Sequence, residues 1–175
     1  MNEKKIFDFF KQHNVPYHLY EHQPVFTVNE KPVVTAIDGV AVTSGTIPEP
    51  HFKTLFLQDN KGVFFLVSVI DDKRVDLKAL SDVLGCARFS FGKAEALFQL
   101  LKLTPGSVTP YGLLFDEQKN VTFVLDEDAL PYSCVSFHPM RNDMTIVTTP
   151  NDFLTCMQKM GHAPRVVRIP IKNRA

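Results

Sequence analysis

The 175-residue chain lacks the features that mark several common protein classes. Its longest apolar runs, such as Val63 to Ile70, are far shorter than the roughly 20 residues of a membrane-spanning helix, so no membrane association is expected. Its three cysteines are an odd number and form no Cys-x-x-Cys pair, and no apolar signal core follows Met1, so we expect a reduced, cytoplasmic protein. Lys and Arg total 19, as do Asp and Glu, and this zero net charge argues against binding nucleic acid by bulk attraction.

The common catalytic motifs are also missing. No Gly-x-Gly-x-x-Gly, P-loop, Gly-x-Ser-x-Gly or His-Glu-x-x-His sequence is present. The six histidines show no ligand spacing, and prolines on either side of His18 and His22 argue against a helix that presents both to zinc. No metal site is therefore predicted. Cys86 and Cys156 stand beside leucines on apolar faces, and we interpret them as buried thiols.

The composition is that of a globular protein, with 45% hydrophobic and 22% charged residues. The length suits a single domain over residues 1–175. Apolar spacing and capping residues predict helices at the start of the chain, over Leu77 to Leu84, over Lys93 to Leu101 and after Thr149. A capping-box match at residues 27–30 predicts no more than a turn, because a proline follows it.

Short β-rich runs separate the predicted helices. Val63 to Ile70 is too apolar for a strand with one face in water, so it should be a central strand covered on both sides, after a hairpin turn at Asp59 to Gly62. Strands and helices alternate without a regular period, which favours a mixed α/β or α+β fold over a doubly wound sheet. The other predicted strands are Thr54 to Gln58, Val121 to Leu125, Cys134 to Phe137, Thr145 to Thr148 and Val166 to Ile169.

Four local segments stand out. Lys53 precedes a very apolar strand, either as an ordinary solvated lysine or as a cation that grips a carbonyl or phosphate oxygen. Thr104 to Gly112, with two prolines and two glycines, is either an anion- or ribose-binding loop or a plain connection. His138 ends a strand ahead of Pro139 and an Arg-Asn-Asp sequence, either as part of a site or as a turn that satisfies its own backbone. Gly161 to Pro164 is explained by a helix end.

Taken in order, these segments resemble the YbaK-like family of aminoacyl-tRNA deacylases, which is related to the editing domain of bacterial prolyl-tRNA synthetases. Within that family the chain is most similar to the free-standing ProXp-ala (PrdX-type) branch, which clears alanine from the tRNA for proline. Each matching block is short, and it is their order and spacing together that are specific. The blocks are Glu21 to Thr27, Lys53 to Leu57, Phe89 to Phe91, Leu103 to Gly112, Phe137 to Pro139 and Gly161 to Pro164.

The resemblance implies a central mixed or barrel-like β-sheet flanked by helices, a central cleft, and no metal or organic cofactor. It implies hydrolysis of the ester between a wrong amino acid and the terminal adenosine of tRNA. By the same likeness, Lys53 and His138 are the catalytic residues. The residues it assigns to substrate binding are Thr54, Gly106, Ser107, Val108, Thr109, Gly112 and Asn142.

An aminoacyl ester is already activated, so positioning a water or a ribose hydroxyl and stabilising the oxyanion can suffice for its hydrolysis. In this scheme Lys53 grips the carbonyl or a nearby phosphate. Backbone N–H groups from Gly106 to Thr109 face the oxyanion or the adenosine. His138 orients the substrate, with the role of base as a further option. A small pocket would admit alanine and exclude proline by size.

Three parts of the chain depart from the family pattern. Thr54 stands where the family usually has asparagine, and Asn142 to Thr145 reads Asn-Asp-Met-Thr where Asn-Thr-Ala-Thr is expected. Residues 36–51 also lack the expected pattern. Because residues near a pocket decide which amino acid fits, these changes bear on the choice of alanine more than on deacylation. The alternatives are a Cys-tRNA deacylase and an inactive module that binds tRNA or a synthetase.

The expected partners are the acceptor end of mischarged tRNA and prolyl-tRNA synthetase. Zero net charge is compatible with such a substrate, because a few placed cations suffice for a weak, salt-sensitive contact with the acceptor end. The candidate cations lie at the two ends of the chain, where a solvated tail is the alternative interpretation. They are Lys4, Lys5, Lys11, Arg165, Arg168, Lys172 and Arg174.

Overall fold

The computed structural model describes residues 2–22 and 40–172, which form a mixed α/β fold as predicted. The helices are α1 (Asn2–His13), α2 (Leu77–Leu84), α3 (Ala94–Leu101) and α4 (Pro150–Lys159). The strands are β1 (His18–Glu21), β2 (Phe52–Asp59), β3 (Phe64–Ile70), β4 (Phe89–Phe91), β5 (Val121–Asp126), β6 (Val135–Phe137), β7 (Met144–Thr148) and β8 (Arg165–Val167). The capping-box match at residues 27–30 lies outside the described residues.

Both ends of α2 and the start of α4 lie at capping residues identified in the sequence. The Asp76 carboxylate accepts a hydrogen bond from the Ala79 amide at 3.0 Å, and Gly85, with φ of 67°, ends α2 in the left-handed region. The Thr149 hydroxyl accepts from the Asp152 amide at 3.1 Å, which fixes the start of α4. These predicted boundaries are confirmed. None of the helices in the described part of the chain is long and apolar enough to cross a membrane.

The described strands form two sheets. The larger has the order β4-β2-β3-β5-β8, in which β2 pairs antiparallel with β3 and β4, and β5 pairs parallel with β3 and β8. The smaller is antiparallel, with the order β1-β7-β6. As predicted, β3 is central in its sheet and buried along nearly its whole length. The pairing of β6 and β7 with β1 in a separate sheet was not predicted.

Strand β2 separates two hydrophobic clusters. Phe56 belongs to the larger cluster, which also includes residues of α1 and α4, whereas Leu57 belongs to the smaller cluster with residues of α2. Successive side chains of a strand point to opposite faces. Thr54 therefore lies on the face of Phe56, and Lys53 lies on the face of Leu57. This alternation decides which predicted site residues can reach the same space.

The cysteines only partly match their interpretation as buried thiols. Cys156 is buried in α4, and burial raises its pKa to about 12. Cys86 is only half-buried, because it follows Gly85 at the end of α2 and packs at the edge of the smaller cluster. Burial of part of its surface raises the pKa of this thiol as well, so both cysteines are protonated at neutral pH.

Candidate functional site

A cavity of about 260 Å³ opens where strands of the two sheets approach each other. Strand β2 contributes Phe52 and Thr54, and the smaller sheet contributes Ser136, Phe137 and Thr145. The walls therefore combine aromatic rings with hydroxyl groups. The remaining lining residues come from turns and strand ends and are His22, Ile47, His51, Asp71, Val108 and His138.

His138 is held by a bond that determines its tautomer. Its Nδ1 lies 2.7 Å from the Met144 carbonyl oxygen, which can only accept, so Nδ1 carries the proton. The lone pair of the neutral ring is consequently on Nε2. Burial lowers the pKa of His138 below its ordinary value, since a charged imidazolium loses solvation there. At neutral pH this histidine is thus a neutral group with one basic nitrogen.

A second histidine lies beside the first. His22 Nε2 is 2.8 Å from the Thr145 hydroxyl, and the two imidazole rings have centroids 5.7 Å apart. The Thr145 hydroxyl in turn lies 3.4 Å from His138 Nδ1. The strand pairing of β1 with β7 produces this arrangement, because it places the end of β1 next to Met144. Thr145 therefore connects the two rings at the wall of the cavity.

Thr54 lies in the wall at the position where the family usually has asparagine. Its hydroxyl is 2.9 Å from the hydroxyl of Ser68, the residue that faces it across the β2–β3 pair. Ser68 is fully buried, so this bond satisfies a polar group that would otherwise be costly. Thr54 and Ser136 give the cavity hydroxyl groups on two sides.

Lys53 is placed differently from its neighbours. Phe52 and Thr54 line the cavity, but Lys53 is on the opposite face of β2 and donates from Nζ to the carbonyl oxygen of Lys73. Lys73 itself forms ion pairs with Asp126 and Asp128 at 2.6 Å each. The Lys53 ammonium therefore lies at the end of the sheet, outside the wall of the cavity.

The predicted glycine-rich loop is divided among three environments. Only Val108 lines the cavity, while Gly106 lines an adjacent groove and the Ser107 amide donates to the Thr104 carbonyl. Thr109 is buried, and its hydroxyl accepts from the Tyr111 amide at 3.3 Å. Gly112 is also buried, in a 3₁₀ helix over Pro110–Phe115. A Cβ at position 112 would lie 2.7 Å from Leu103 Cδ1, so a glycine is required for packing.

Asn142 does not line the cavity, but its neighbours hold the loop that carries His138. Arg141 forms two hydrogen bonds with the Asp143 carboxylate, at 3.0 and 2.6 Å, and lies 3.6 Å from Glu3 of α1. The Asp143 carbonyl accepts from the His22 amide at 2.9 Å. The Asp143 carboxylate thus holds Arg141 within the loop, Arg141 reaches Glu3 of α1, and the Asp143 backbone carbonyl joins the loop to the end of β1.

Sequence reasoning did not single out His22, Ser136, Thr145 or Asp71 as site residues. His22 was weighed only as a zinc ligand, although its Glu-His-Gln-Pro block was among the matching segments. The others lie on strands or at strand ends, and only the pairing of the two sheets brings them to one cavity. Within the described residues no group of three His, Cys, Asp or Glu side chains could hold a metal ion.

The segment Gly161 to Pro164 is a helix end, as interpreted, and its histidine also takes part in a buried hydrogen bond. His162 Nε2 lies 3.1 Å from the Asp116 carboxylate, and both side chains are almost completely buried. Asp116 also accepts from the amides of Asn120 and Val121 at 3.0 and 2.8 Å. This contact joins the turn after α4 to the segment before β5, and neither residue lines the cavity.

The candidate cations for tRNA differ in whether other groups of the protein contact them. Lys4, Lys11 and Lys172 are exposed, and Arg174 lies outside the described residues. Lys5 lies over the Phe115 ring, with Nζ 5.4 Å from the centroid. Arg168 is 3.9 Å from Asp128, and Arg165 donates to the Leu84 carbonyl. Arg165 of β8 and Arg168, which follows the strand, are therefore partly engaged within the fold.

Comparisons with known proteins point to one family. The family model for the aminoacyl-tRNA editing domain matches residues 30–156. The chain is 34% identical over 158 residues to the prolyl-tRNA editing protein ProX of Acetoanaerobium sticklandii, covering 89% of this chain and 90% of that protein. It is 37% identical over 153 residues to prolyl-tRNA synthetase associated domain-containing protein 1 of Xenopus laevis, covering 84% of each.

The fold of the chain is also similar to that of a solved structure with a related name. The crystal structure of a proposed trans-editing enzyme for prolyl-tRNA synthetase superimposes with a TM-score of 0.67 at 18% identity, covering 98% of this chain and 99% of that one. At this identity the likeness concerns the fold alone.

Proposed function

The chain belongs to the aminoacyl-tRNA editing domain family, and from this membership we propose that it hydrolyses the ester of mischarged tRNA for proline. The observation that carries the proposal is His138, a neutral imidazole whose basic Nε2 is the nitrogen left for a ligand of the small cavity. The proposed substrate is Ala-tRNA. The proposed partners are its acceptor end and prolyl-tRNA synthetase.

The reaction needs no covalent intermediate. A water attacks the ester carbonyl while His138 Nε2 accepts its proton, and a C–O bond to the new hydroxyl forms. The tetrahedral intermediate then expels the ribose oxygen, which takes the proton back from the histidine. Hydroxyl groups of Thr54 and Ser136 donate to the oxyanion. The products are the free amino acid and the uncharged 3′ end.

The charged groups at the cavity suit the two ends of this substrate. Asp71 lies at the rim and is exposed, where its carboxylate attracts the α-ammonium of the aminoacyl group. Lys53 was expected to bind either the ester carbonyl or a nearby phosphate. Because its ammonium donates to the Lys73 carbonyl at the end of the sheet, we favour binding to a phosphate of the acceptor end. Lys53 thus acts in binding more than on the ester carbonyl.

Selectivity for alanine is proposed to follow from size. A cavity of about 260 Å³ must hold the aminoacyl group together with part of the adenosine, which leaves little room for a proline ring. Size exclusion of this kind is limited to about 1–3 kcal/mol per methylene. Cysteine and serine are close to alanine in volume, so they are the competitors against which selectivity must be measured.

The test is a panel of Ala-, Cys-, Ser- and Pro-tRNA, all on the tRNA for proline, with wild type and Lys53→Ala. We expect Ala-tRNA to be hydrolysed fastest and Pro-tRNA to persist. Lys53→Ala should raise KM more than it lowers kcat, because a phosphate contact is lost. Lys61→Ala, an exposed lysine in the β2–β3 turn, is the matched control.

Each pattern of the panel has a distinct meaning. Fastest loss of Cys-tRNA would replace the proposed substrate with the Cys-tRNA alternative and keep the chemistry. Binding of uncharged tRNA or of the synthetase without any deacylation would overturn the enzyme proposal in favour of an inactive binding module.

A further inference from the structure

A groove of about 210 Å³ lies beside the cavity. Thr54 and Val108 line both hollows, so the groove and the cavity share a wall. The groove is mostly apolar and none of its side chains is charged. Its other lining residues are Leu55, Phe56, Phe91, Gly92, Ala94, Leu97, Pro105 and Gly106.

The groove exists because β4 is short. β4 pairs with Leu57 to Asp59 of β2, and the last bond on this side runs from the Gly92 amide to the Phe56 carbonyl at 2.9 Å. Alternate residues of a strand direct their backbone groups to the same side. The amide and carbonyl of Thr54 therefore face the groove, as those of Phe56 face β4. Within the described residues no strand pairs with Thr54 on this side.

An exposed aromatic ring stands at the edge of the groove. Phe91 is 65% exposed, the highest value among the large hydrophobic side chains of the described residues. The floor beside it is kept open by Gly92, where a Cβ would lie 2.4 Å from the Phe56 ring. Lys93, exposed, stands between the lining residues Gly92 and Ala94. An aromatic face, backbone polar groups and one cation are thus combined at one place.

We propose that this groove binds the nucleotide that precedes the terminal adenosine, with its base stacked on Phe91 and its phosphate near Lys93. Single-stranded RNA is bound in this way, by aromatic stacking together with cations along the backbone. The inference rests on the proposed function, since the cavity next door must hold the aminoacyl-adenosine. The shared wall at Thr54 and Val108 places the two subsites in the order of neighbouring nucleotides. The unpaired backbone of Thr54 can read the edge of the stacked base.

The first experiment compares two substrates of different length. Alanylated minihelix RNA ending in CCA occupies both subsites, whereas 3′-O-alanyl-adenosine occupies only the cavity. Phe91→Ala should lower kcat/KM on the minihelix by about 5- to 150-fold, the range that loss of one base–aromatic stack produces. Its rate on alanyl-adenosine should stay within about twofold of wild type, and Phe91→Trp should restore the minihelix rate.

Phe98→Ala is the matched control. Phe98 is also exposed, at 54%, but it lies on α3 outside the groove and is covered by the Lys102 ammonium 5.7 Å from its centroid. This variant should match wild type on both substrates. Equal losses for Phe91→Ala on both substrates, or none on the minihelix, would overturn the groove assignment while leaving deacylation intact.

A binding measurement separates this inference from the proposed function. The dissociation constant of an uncharged minihelix is measured with and without its CCA end. Phe91→Ala should weaken binding of the CCA-ended RNA and leave binding of the shortened RNA unchanged. If wild type fails to deacylate but this difference is present, the groove stands and the proposed reaction fails. If neither RNA responds to the substitution, the groove does not bind the CCA end and the inference is wrong.

Discussion

The proton on His138 is the residue-scale feature on which the proposed chemistry depends. Nδ1 donates to the Met144 carbonyl, and burial lowers the pKa of the ring. A base is active when neutral, so a lowered pKa keeps the active form present to a lower pH than for a free histidine. kcat/KM should therefore rise with pH through an inflection below about 6.5 and be level between about pH 7 and 8. A pH–rate profile, corrected for spontaneous ester hydrolysis, checks this.

An inflection above the ordinary histidine value would contradict the assignment. Such a result would mean that another group takes the proton or that His138 is stabilised as imidazolium. The sign of the shift is thus a direct test of the environment that the structure gives this ring.

Val108 is the residue whose size is expected to limit the substrate. It is half-buried and lines both the cavity and the groove. Val108→Ala should raise the rate on the 2-aminobutyryl ester relative to the alanyl ester by about tenfold, the low end of the range for one methylene. Val166→Ala, on the exposed face of β8, should leave the ratio unchanged. An unchanged ratio in Val108→Ala would place the size limit elsewhere in the cavity.

At the scale of elements, the loop between β6 and β7 positions the histidine. Within this loop the Asp143 carboxylate accepts two hydrogen bonds from Arg141, and the Asp143 backbone carbonyl accepts from the His22 amide at the end of β1. Asp143→Asn should lower the free energy of unfolding by about 1.5–3 kcal/mol, as expected for lost hydrogen bonds to a charged group, and should lower kcat as well. Urea denaturation and steady-state rates measure the two effects. Asn142→Ala, a neighbour without those bonds, should change stability by less than about 0.5 kcal/mol.

Helix caps affect stability without affecting the site. Asp76 accepts from the Ala79 amide at the start of α2, which packs on the smaller cluster away from the cavity. Asp76→Ala should destabilise the fold by about 1 kcal/mol and leave deacylation unchanged. Asp82→Ala, exposed on the same helix, is the control for stability. A loss of activity in Asp76→Ala at a temperature where the protein is folded would show that α2 contributes to the site.

Elements with a strong local signal could be predicted from the sequence. Asp76 and Gly85 set both ends of α2, Thr149 set the start of α4, and the continuous apolar run of β3 indicated a central strand. β1 and β4 could not be predicted. Each has only three or four residues, and each is a strand because of the partner beside it, β7 or β2.

At the scale of the whole molecule, the candidate site too could be predicted only in part from the sequence. His138, Thr54 and Val108 were found from the resemblance, and they do meet at one cavity. Thr145, Ser136 and the role of His22 depend on the pairing of two sheets, which no local pattern encodes. Because side chains alternate along β2, Lys53 and Thr54 point to opposite faces of the strand. That Lys53 points away from the cavity is known only once the structure shows that Thr54 lines it.

The zero net charge of the whole chain bears on how it would bind RNA. The chain has no net charge, so tight binding along an RNA helix is not expected. In the proposed function, recognition is instead limited to the acceptor end of the tRNA, which the cavity, the groove, Lys53 and Lys93 would contact. Short, salt-sensitive encounters would suit the proposed deacylase, which must act on an occasional wrong product and release the rest.

The most direct test of this account is the single-turnover deacylation of Ala-tRNA for proline by wild type and His138→Ala at neutral pH. The wild type should clear the ester, and His138→Ala should be slower by about 10²- to 10⁴-fold, the contribution of a general base, with substrate affinity little changed. Equal rates for the two proteins would contradict the role of His138. An ester that decays no faster with wild type than without protein would contradict the deacylase itself.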